Sequence, residues 1–253
     1  MRRFASFLFG LVIAASAHAA GGGGDLTPAN TQVGNRAMLQ RGAALYMNYC
    51  AGCHSLKYVR YSRLAEDLQL TEEQVMQNLA FSSDAKFGDT INTGMSAEDG
   101  AAFFGKAPPD LSLVARSRGV DWIFSYLRSF YVDPASPVGW NNTVYANASM
   151  PNVLAELQGI QVAVHDASGE TQEGEAHGAA EPAHAPTLEL AQAGVMTPAQ
   201  FDAALRDLTS FLQYVGEPAI LKRKALGVWV LLYLTLFTFL AWLVKREYWK
   251  DVH

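Results

Sequence analysis

The run Cys50-Ala51-Gly52-Cys53-His54 constrains this 253-residue chain more than any other feature, and Cys50 and Cys53 are its two cysteines. A C-x-x-C-H run is the attachment pattern of a c-type haem. Two thiols at this spacing can each bond one vinyl group of the haem, and the imidazole that follows lies under the iron as its proximal ligand. One such run predicts one covalent haem c, held by Cys50, Cys53 and His54.

Two other interpretations of the cysteines are disfavoured. A zinc site needs about four ligands, and the sequence has no second group of Cys and His residues at suitable spacing. A thioredoxin-like redox pair is expected within a βαβ arrangement, and no such pattern surrounds Cys50 and Cys53. Haem attachment is therefore the favoured interpretation.

The N-terminus has the composition of a secretory signal peptide. A pair of arginines precedes a mostly apolar stretch, which ends in the A-x-A cleavage pattern Ala17-His18-Ala19. An N-terminal membrane anchor is the alternative, but the apolar stretch is shorter than the ~20 residues that a span needs. We therefore predict a signal peptide over residues 1–20, and export by the general rather than the twin-arginine pathway.

A second apolar stretch, residues 225–244, contains no charged residue. As a helix rising ~1.5 Å per residue it spans ~30 Å, the thickness of the hydrocarbon core. Basic residues flank both ends, so the positive-inside rule is silent and the signal peptide decides the orientation. We predict a single-pass anchor in the bacterial inner membrane at 222–246, a periplasmic haem domain at 21–221 and a cytoplasmic tail at 247–253.

Sequence patterns within the haem domain predict helices joined by long loops. Apolar residues recur at helical spacing, and capping boxes open two of the predicted helices. Gly42 inside the first helix indicates close packing of another element, because glycine there costs up to ~1 kcal/mol relative to alanine. No convincing strand pattern is present, so we predict an all-α domain. Its helices are expected over residues 35–49, 71–80, 120–131 and 197–216.

Residues 166–186 form an acidic insertion with five carboxylates and no Lys or Arg. Its low-complexity composition indicates a flexible segment. His177 and His184 within it, with His165 at its edge, could bind a metal, but a solvated linker is favoured. Attraction of a basic cytochrome c and a plain spacer are the two alternatives for its role. The net charge of −5 predicts no nucleic-acid partner.

An electron-carrying haem needs a second axial ligand, and Met150 is the favoured candidate. It lies in a loop before Pro151, which stiffens the backbone and disfavours a helix through Met150. Met95 and Met196, each placed just before a predicted helix cap, are the alternatives. Ligation by His and Met raises the haem potential. With both axial positions filled, such a haem suits an electron carrier better than an oxygen-activating enzyme.

Longer strings around these residues resemble the cytochrome c1 family, the haem subunits of ubiquinol–cytochrome c oxidoreductase (the cytochrome bc1 complex), in its proteobacterial form. The resemblance covers nearly the whole chain, including the C-terminal anchor. It rests on CAGCHSLKYVRYSRL from Cys50, PPDLSLVARSRG from Pro108, GWNN from Gly139 and SMPNVLAELQG from Ser149. A bare C-x-x-C-H is shared by many cytochromes, whereas the first two of these strings are much more specific.

The resemblance implies a cytochrome c-like, all-α haem domain with long loops and one C-terminal transmembrane helix in membrane lipid. It implies that this subunit accepts one electron from a Rieske iron–sulfur protein and passes it to a soluble or tethered cytochrome c, with cytochrome b as a further partner. No bond chemistry would occur on the chain itself. An anchored monohaem subunit of a terminal oxidase is the alternative, and a peroxidase would need a displaceable sixth ligand.

The resemblance also implies roles for individual residues of the haem pocket. His54 would be the proximal iron ligand and Met150 the distal one. Arg118 would lie near a haem propionate, where a guanidinium can form two hydrogen bonds with a carboxylate. Arg116 is the rival for that role. Pro109, together with the preceding proline, would line the pocket.

Overall fold

The computed structural model describes residues 26–164 and 186–250. The predicted signal peptide, nearly all of the acidic insertion and the last three residues lie outside the described residues. The helices are α1 (Arg36–Tyr49), α2 (Tyr61–Leu68), α3 (Glu72–Asn78), α4 (Ala97–Phe104), α5 (Val114–Ser117), α6 (Val120–Arg128), α7 (Ala155–Gln158), α8 (Pro198–Gly216) and α9 (Ile220–Tyr248). The strands are β1 (Leu56–Arg60), β2 (Thr90–Ile91), β3 (Phe130–Val132), β4 (Trp140–Asn142), β5 (Gly159–Val164) and β6 (Thr187–Ala193).

Helices α1 and α8 pack against each other at the centre of the domain. A Cβ atom added to Gly42 of α1 would lie 2.2 Å from the Asp207 main-chain oxygen and 2.7 Å from Cβ of Phe211, both on α8. A larger residue would therefore push the two helices apart. One turn later the rings of Tyr46 and Phe211 lie 5.8 Å apart. The predicted close packing at Gly42 is confirmed.

The capping patterns in the sequence mark helix starts correctly. The Thr197 side chain accepts a hydrogen bond from the Gln200 main chain, and the Gln200 side chain accepts one from the Thr197 main chain. A proline follows in the first turn of α8. The same reciprocal pair, Thr71 and Gln74, opens α3. The apolar residues that recur at helical spacing along α8 are buried, at Phe201, Leu205, Leu208, Leu212 and Val215. This helix ends at Gly216, as predicted.

Helix α9 begins four residues after α8 ends and differs from it in environment. Its segment Ala225–Tyr248 is long and apolar enough to cross a membrane, and none of it is buried against the rest of the chain. Large apolar side chains such as Trp229 and Leu231 are exposed along it. The described part of the chain thus contains one candidate C-terminal span, where the sequence predicts the anchor.

The prediction of an all-α fold is only partly right, because the described residues also form two small sheets. Strands β1 and β2 pair antiparallel. The second sheet has the order β4-β3-β5-β6, in which β3 and β5 are parallel and the outer pairs are antiparallel. The helix expected over residues 120–131 ends at Arg128, since Phe130–Val132 pairs with Trp140–Asn142 instead. Strands β3 and β4 are each three residues long, too short to show an alternating pattern in the sequence.

The hairpin of β5 and β6 shows where the acidic insertion enters the fold. Val164 at the end of β5 pairs with Thr187 at the start of β6. The residues between them connect the paired strand ends. An insertion at this position leaves the strand pairing and the helical core in place.

Candidate functional site

Two adjoining cavities, with empty volumes of about 570 and 990 Å³, form a cleft beside the C-x-x-C-H run. Both are lined by Cys50, His54, Pro109 and Met150. The remaining lining is mainly apolar, as is typical of sites for small molecules and cofactors. Cys53 lines the smaller cavity and Arg118 the larger, so the structure brings all six predicted site residues together around one cleft.

The turn after α1 presents the cysteines and the histidine to this cleft. Cys50 caps α1 by donating to the Tyr46 carbonyl, and its own carbonyl accepts from the main chains of Cys53 and His54 at 3.1 and 2.8 Å. Burial raises the pKa of the Cys50 thiol to about 12, and the nearby Cys53 thiol adds to the shift. A thiol held protonated in this way does not favour thiolate chemistry.

A metal site made by the protein alone is also disfavoured. Within residues 26–164 and 186–250, no group of three or more His, Cys, Asp or Glu side chains could hold a metal ion. The zinc interpretation needs such a group. The suggestion of metal binding by His165, His177 and His184 lies outside the described residues and stays untested.

The His54 imidazole is held in one tautomer. Its Nδ1 lies 2.7 Å from the Pro109 carbonyl oxygen, and because a carbonyl only accepts, Nδ1 carries the proton. Nε2 then keeps its lone pair for a metal ion. Burial lowers the pKa of His54, with hydrogen bonding to Pro109 acting in the opposite direction, so the neutral ligand form is favoured. The buried Tyr46 hydroxyl donates to the His54 carbonyl at 2.5 Å.

Asp110 supports the site, although no sequence pattern singles it out. Its carboxylate accepts hydrogen bonds from the main chains of Lys57 and Ser112, each at 2.9 Å. These bonds tie β1, which follows His54, to the loop that carries Pro109. A PPD sequence alone gives no sign of this role, because the partners lie 53 and 2 residues away.

The structure distinguishes between the candidate methionines. Met150 lines both cavities and so faces the same space as His54. Met95 lies beside Cys53 and Thr93 in a separate pocket. Met196 is tied by its main chain to Leu157 and lines neither cavity. The geometry therefore favours Met150 as the distal ligand, and its ligation of iron stays a prediction.

The structure also distinguishes between the two candidate arginines. Arg118 lines the larger cavity, with its guanidinium carbon 5.1 Å from the centre of the Trp122 ring and 6.0 Å from that of Tyr145. Such cation–π contacts keep a guanidinium in place. Arg116 instead packs near Gly216 at the end of α8, where its Cγ lies 3.3 Å from a Cβ built on that glycine.

An aromatic wall, formed by Trp122, Tyr126 and Tyr145, lines the larger cavity. Trp122 and Tyr126 on α6 stack at 4.8 Å, and the Tyr145 ring meets Trp122 edge-on at 6.4 Å. Burial raises the pKa of Tyr126 to about 12, so its hydroxyl stays neutral. Trp122 and Tyr126 recur at helical spacing within the helix expected over residues 120–131, but no local pattern predicts that Tyr145 joins them.

Comparisons with known proteins match nearly the whole chain. The Cytochrome C1 family model matches residues 30–252. The chain is 45% identical to cytochrome c1 of Allochromatium vinosum over 100% of both chains. It is 35% identical to the ammonia monooxygenase gamma subunit of Nitrosomonas europaea, over 94% of this chain and 93% of that protein. It is 29% identical to cytochrome c1 of Rhodospirillum rubrum, over 85% and 81%.

Proposed function

Because this chain belongs to the cytochrome c1 family, the electron-transfer haem subunits of the cytochrome bc1 complex, we propose that it carries one covalent haem c in the cleft beside Cys50 and Cys53. The observation that supports this most directly is the His54 ring, whose Nδ1 is bonded to the Pro109 carbonyl and which lines the same cleft as Met150. The thiols of Cys50 and Cys53 would form the two thioether bonds to the haem. The His54 imidazole and the Met150 sulfur would bind its iron.

The residues of the cleft fit this group. Haem supplies reversible one-electron chemistry when bound. His54 and Met150 would both hold the haem iron, and an iron held on both sides favours electron transfer over reactions with small molecules. Arg118, which lines the larger cavity, would pair with a propionate carboxylate. The aromatic wall of Trp122, Tyr126 and Tyr145 limits the access of water, which is one of the factors that set a haem potential.

We further propose that the haem domain lies on the periplasmic side, held by α9 as a single-pass anchor. The signal-peptide pattern and the candidate span Ala225–Tyr248 support this arrangement. The electron donor would be a Rieske iron–sulfur protein, the acceptor a soluble or tethered cytochrome c, and cytochrome b the membrane partner. These partners are inferred from family membership.

Purification of the chain in mild detergent tests the assembly. Cytochrome b and a Rieske protein should co-elute with the haem-containing chain and be identified by mass spectrometry. Subunits of a terminal oxidase or of a monooxygenase in their place would contradict the proposal. Monooxygenase subunits are among the results to look for because one relative is named as an ammonia monooxygenase gamma subunit.

Covalent attachment is tested separately, on denatured protein. Haem staining of a denaturing gel should label the wild-type chain at its own mass, since thioether bonds survive denaturation. Replacing both thiols, in a Cys50→Ala/Cys53→Ala variant, should abolish the label. A label that persists in the double variant would overturn the attachment site.

A further inference from the structure

We propose that Asn142 and Asn152 are positioning residues that clamp the Met150 loop, residues 143–151, to the last turn of α6. The inference rests on the proposed function, because it concerns how Met150 is held towards the haem. Asn142 immediately precedes this loop and Asn152 immediately follows it. Their side chains are almost wholly buried, with exposed fractions of 1% and 7%.

The first arm of the clamp is Asn142. Its Oδ1 accepts hydrogen bonds from the main chains of Val144 and Tyr145, at 2.9 and 3.0 Å, and from the Ser129 hydroxyl at 3.1 Å. Its Nδ2 donates to the Tyr126 carbonyl in α6 at 2.7 Å. One amide therefore joins the start of the loop to the end of the helix.

The second arm is Asn152, acting through Gln158. Oδ1 of Asn152 accepts from the Leu154 main chain at 3.1 Å, which turns the chain after the loop. Nδ2 of Asn152 donates to Gln158 at 3.3 Å, and Gln158 Nε2 donates to the Arg128 carbonyl at 2.7 Å. Tyr126 and Arg128 both belong to the last turn of α6, so both arms reach the same part of the fold.

The identity of the side chain matters in each arm. At position 142 an acceptor must meet two N–H groups and a hydroxyl, while a donor must meet a carbonyl. A carboxylate cannot donate to that carbonyl, and an aliphatic side chain can do neither. Because these groups are buried, water cannot easily replace a missing partner.

The middle of the loop is supported in the same way. Asn147 has a left-handed backbone, with φ of +57°, and its N–H donates to Oδ1 of Asn141 at 2.8 Å. Asn141 in turn donates to Asp133 at 2.8 Å. The side chains of Asn141, Asn142 and Asn152 thus form hydrogen bonds within the Met150 loop or directly beside it.

The clamp has a direct consequence for ligation. Helix α6 forms the wall of the larger cavity through Trp122 and Tyr126, and the clamped loop supplies Tyr145 and Met150 to the same cavity. Fixing the loop to this helix fixes where the Met150 thioether can lie relative to His54. Ligand positions held by buried hydrogen bonds to neighbouring groups are generally more precise than positions on free loops.

The test compares Asn142→Ala and Asn152→Ala with wild type in the detergent-purified complex. The readouts are the methionine–iron charge-transfer absorption of the ferric haem and carbon monoxide binding by the ferrous haem. Each variant should keep its covalent haem but bind carbon monoxide roughly 10-fold more tightly or more, as loss of a supporting contact typically weakens ligation 10–100-fold. Asn78→Ala is the matched control, since Asn78 is exposed on α3 and bonds only to Gln74.

Met150→Leu in the same series separates this inference from the proposed function. If Met150→Leu leaves the absorption unchanged, the assignment of the ligand fails. If Met150→Leu abolishes the absorption while both asparagine variants match wild type, the clamp fails. If Asn142→Ala does not accumulate, Asn152→Ala and Asn142→Ser test the clamp instead, because each leaves part of the hydrogen-bond network in place. If Asn152→Ala and Asn142→Ser both keep the wild-type absorption and the wild-type affinity for carbon monoxide, the clamp is overturned.

Discussion

The His54 imidazole and the Pro109 carbonyl, 55 residues apart in the chain, are joined by a hydrogen bond of 2.7 Å between Nδ1 and the oxygen. The bond orients the ring and determines which nitrogen can bind iron. Asp110 holds the Pro109 loop in place through its two bonds to main-chain N–H groups. The geometry of a residue inside the C-x-x-C-H run therefore depends on a distant loop.

Asp110→Asn should raise the haem potential. The substitution removes a negative charge close to His54, and that charge favours the oxidised, more positive haem. An interaction of about 1 kcal/mol corresponds to roughly 40 mV for one electron. Spectroelectrochemical titration measures the shift, with Asp84→Asn, an exposed carboxylate outside the cleft, as the control. Equal potentials in both variants would show that Asp110 does not act on the haem.

Met150→Leu should leave the haem covalently bound but lower its potential, because the thioether that favours reduced iron is lost. The ferrous protein should also bind carbon monoxide at neutral pH, since the sixth position becomes accessible. Optical titration checks both effects. Met95→Leu is the matched control, because Met95 lies in a separate pocket. Loss of ligation in the Met95 variant alone would reverse the assignment.

Arg118→Gln should lower the haem potential, because removing a cation beside a propionate favours the oxidised state. The effect should be smallest over the pH range in which the propionate is protonated in the variant but still ionised in wild type, because the bound proton replaces the lost positive charge. Potentials measured across a pH series provide the test. Arg116→Gln removes the same charge from a neighbouring residue that packs near Gly216 instead. A larger shift for Arg116→Gln would make it the propionate partner.

Gly42→Ala should destabilise the fold by about 1–3 kcal/mol, the usual cost of overpacking a tight contact. The added methyl group would meet the Asp207 carbonyl of α8 at 2.2 Å. Thermal unfolding followed by circular dichroism of the detergent-purified chain measures the change. Gly88→Ala is the control, as a Cβ there meets nothing within 4 Å. An unchanged midpoint for Gly42→Ala would show that the helices separate freely.

Truncation after Gly216 should release a soluble, haem-loaded domain into the periplasm. The cut keeps the whole of α8, whose apolar residues fill the core, and removes α9, whose span is not buried against the domain. Cell fractionation followed by haem staining of each fraction measures the release. Expression in a strain lacking the partner subunits excludes retention by the complex. A truncated chain that still sediments with those membranes would reveal a second attachment.

The sequence by itself determined the features that depend on neighbouring residues. The spacing of Cys50, Cys53 and His54 is complete within five positions. Helix starts at Thr71 and Thr197 follow from hydrogen bonds over three residues, and the candidate span follows from length and apolar composition. Such local interactions survive in almost any tertiary context, so patterns in the sequence predict them.

Only the tertiary structure decided the features that join distant parts of the chain. It placed Met150 rather than Met95 on the cleft, and Arg118 rather than Arg116. It also turned the expected end of α6 into β3, because pairing with β4 outweighs the helical tendency of a few residues. Each outcome depends on contacts between main-chain groups and surfaces that form only on folding. No local pattern in the sequence predicts those contacts.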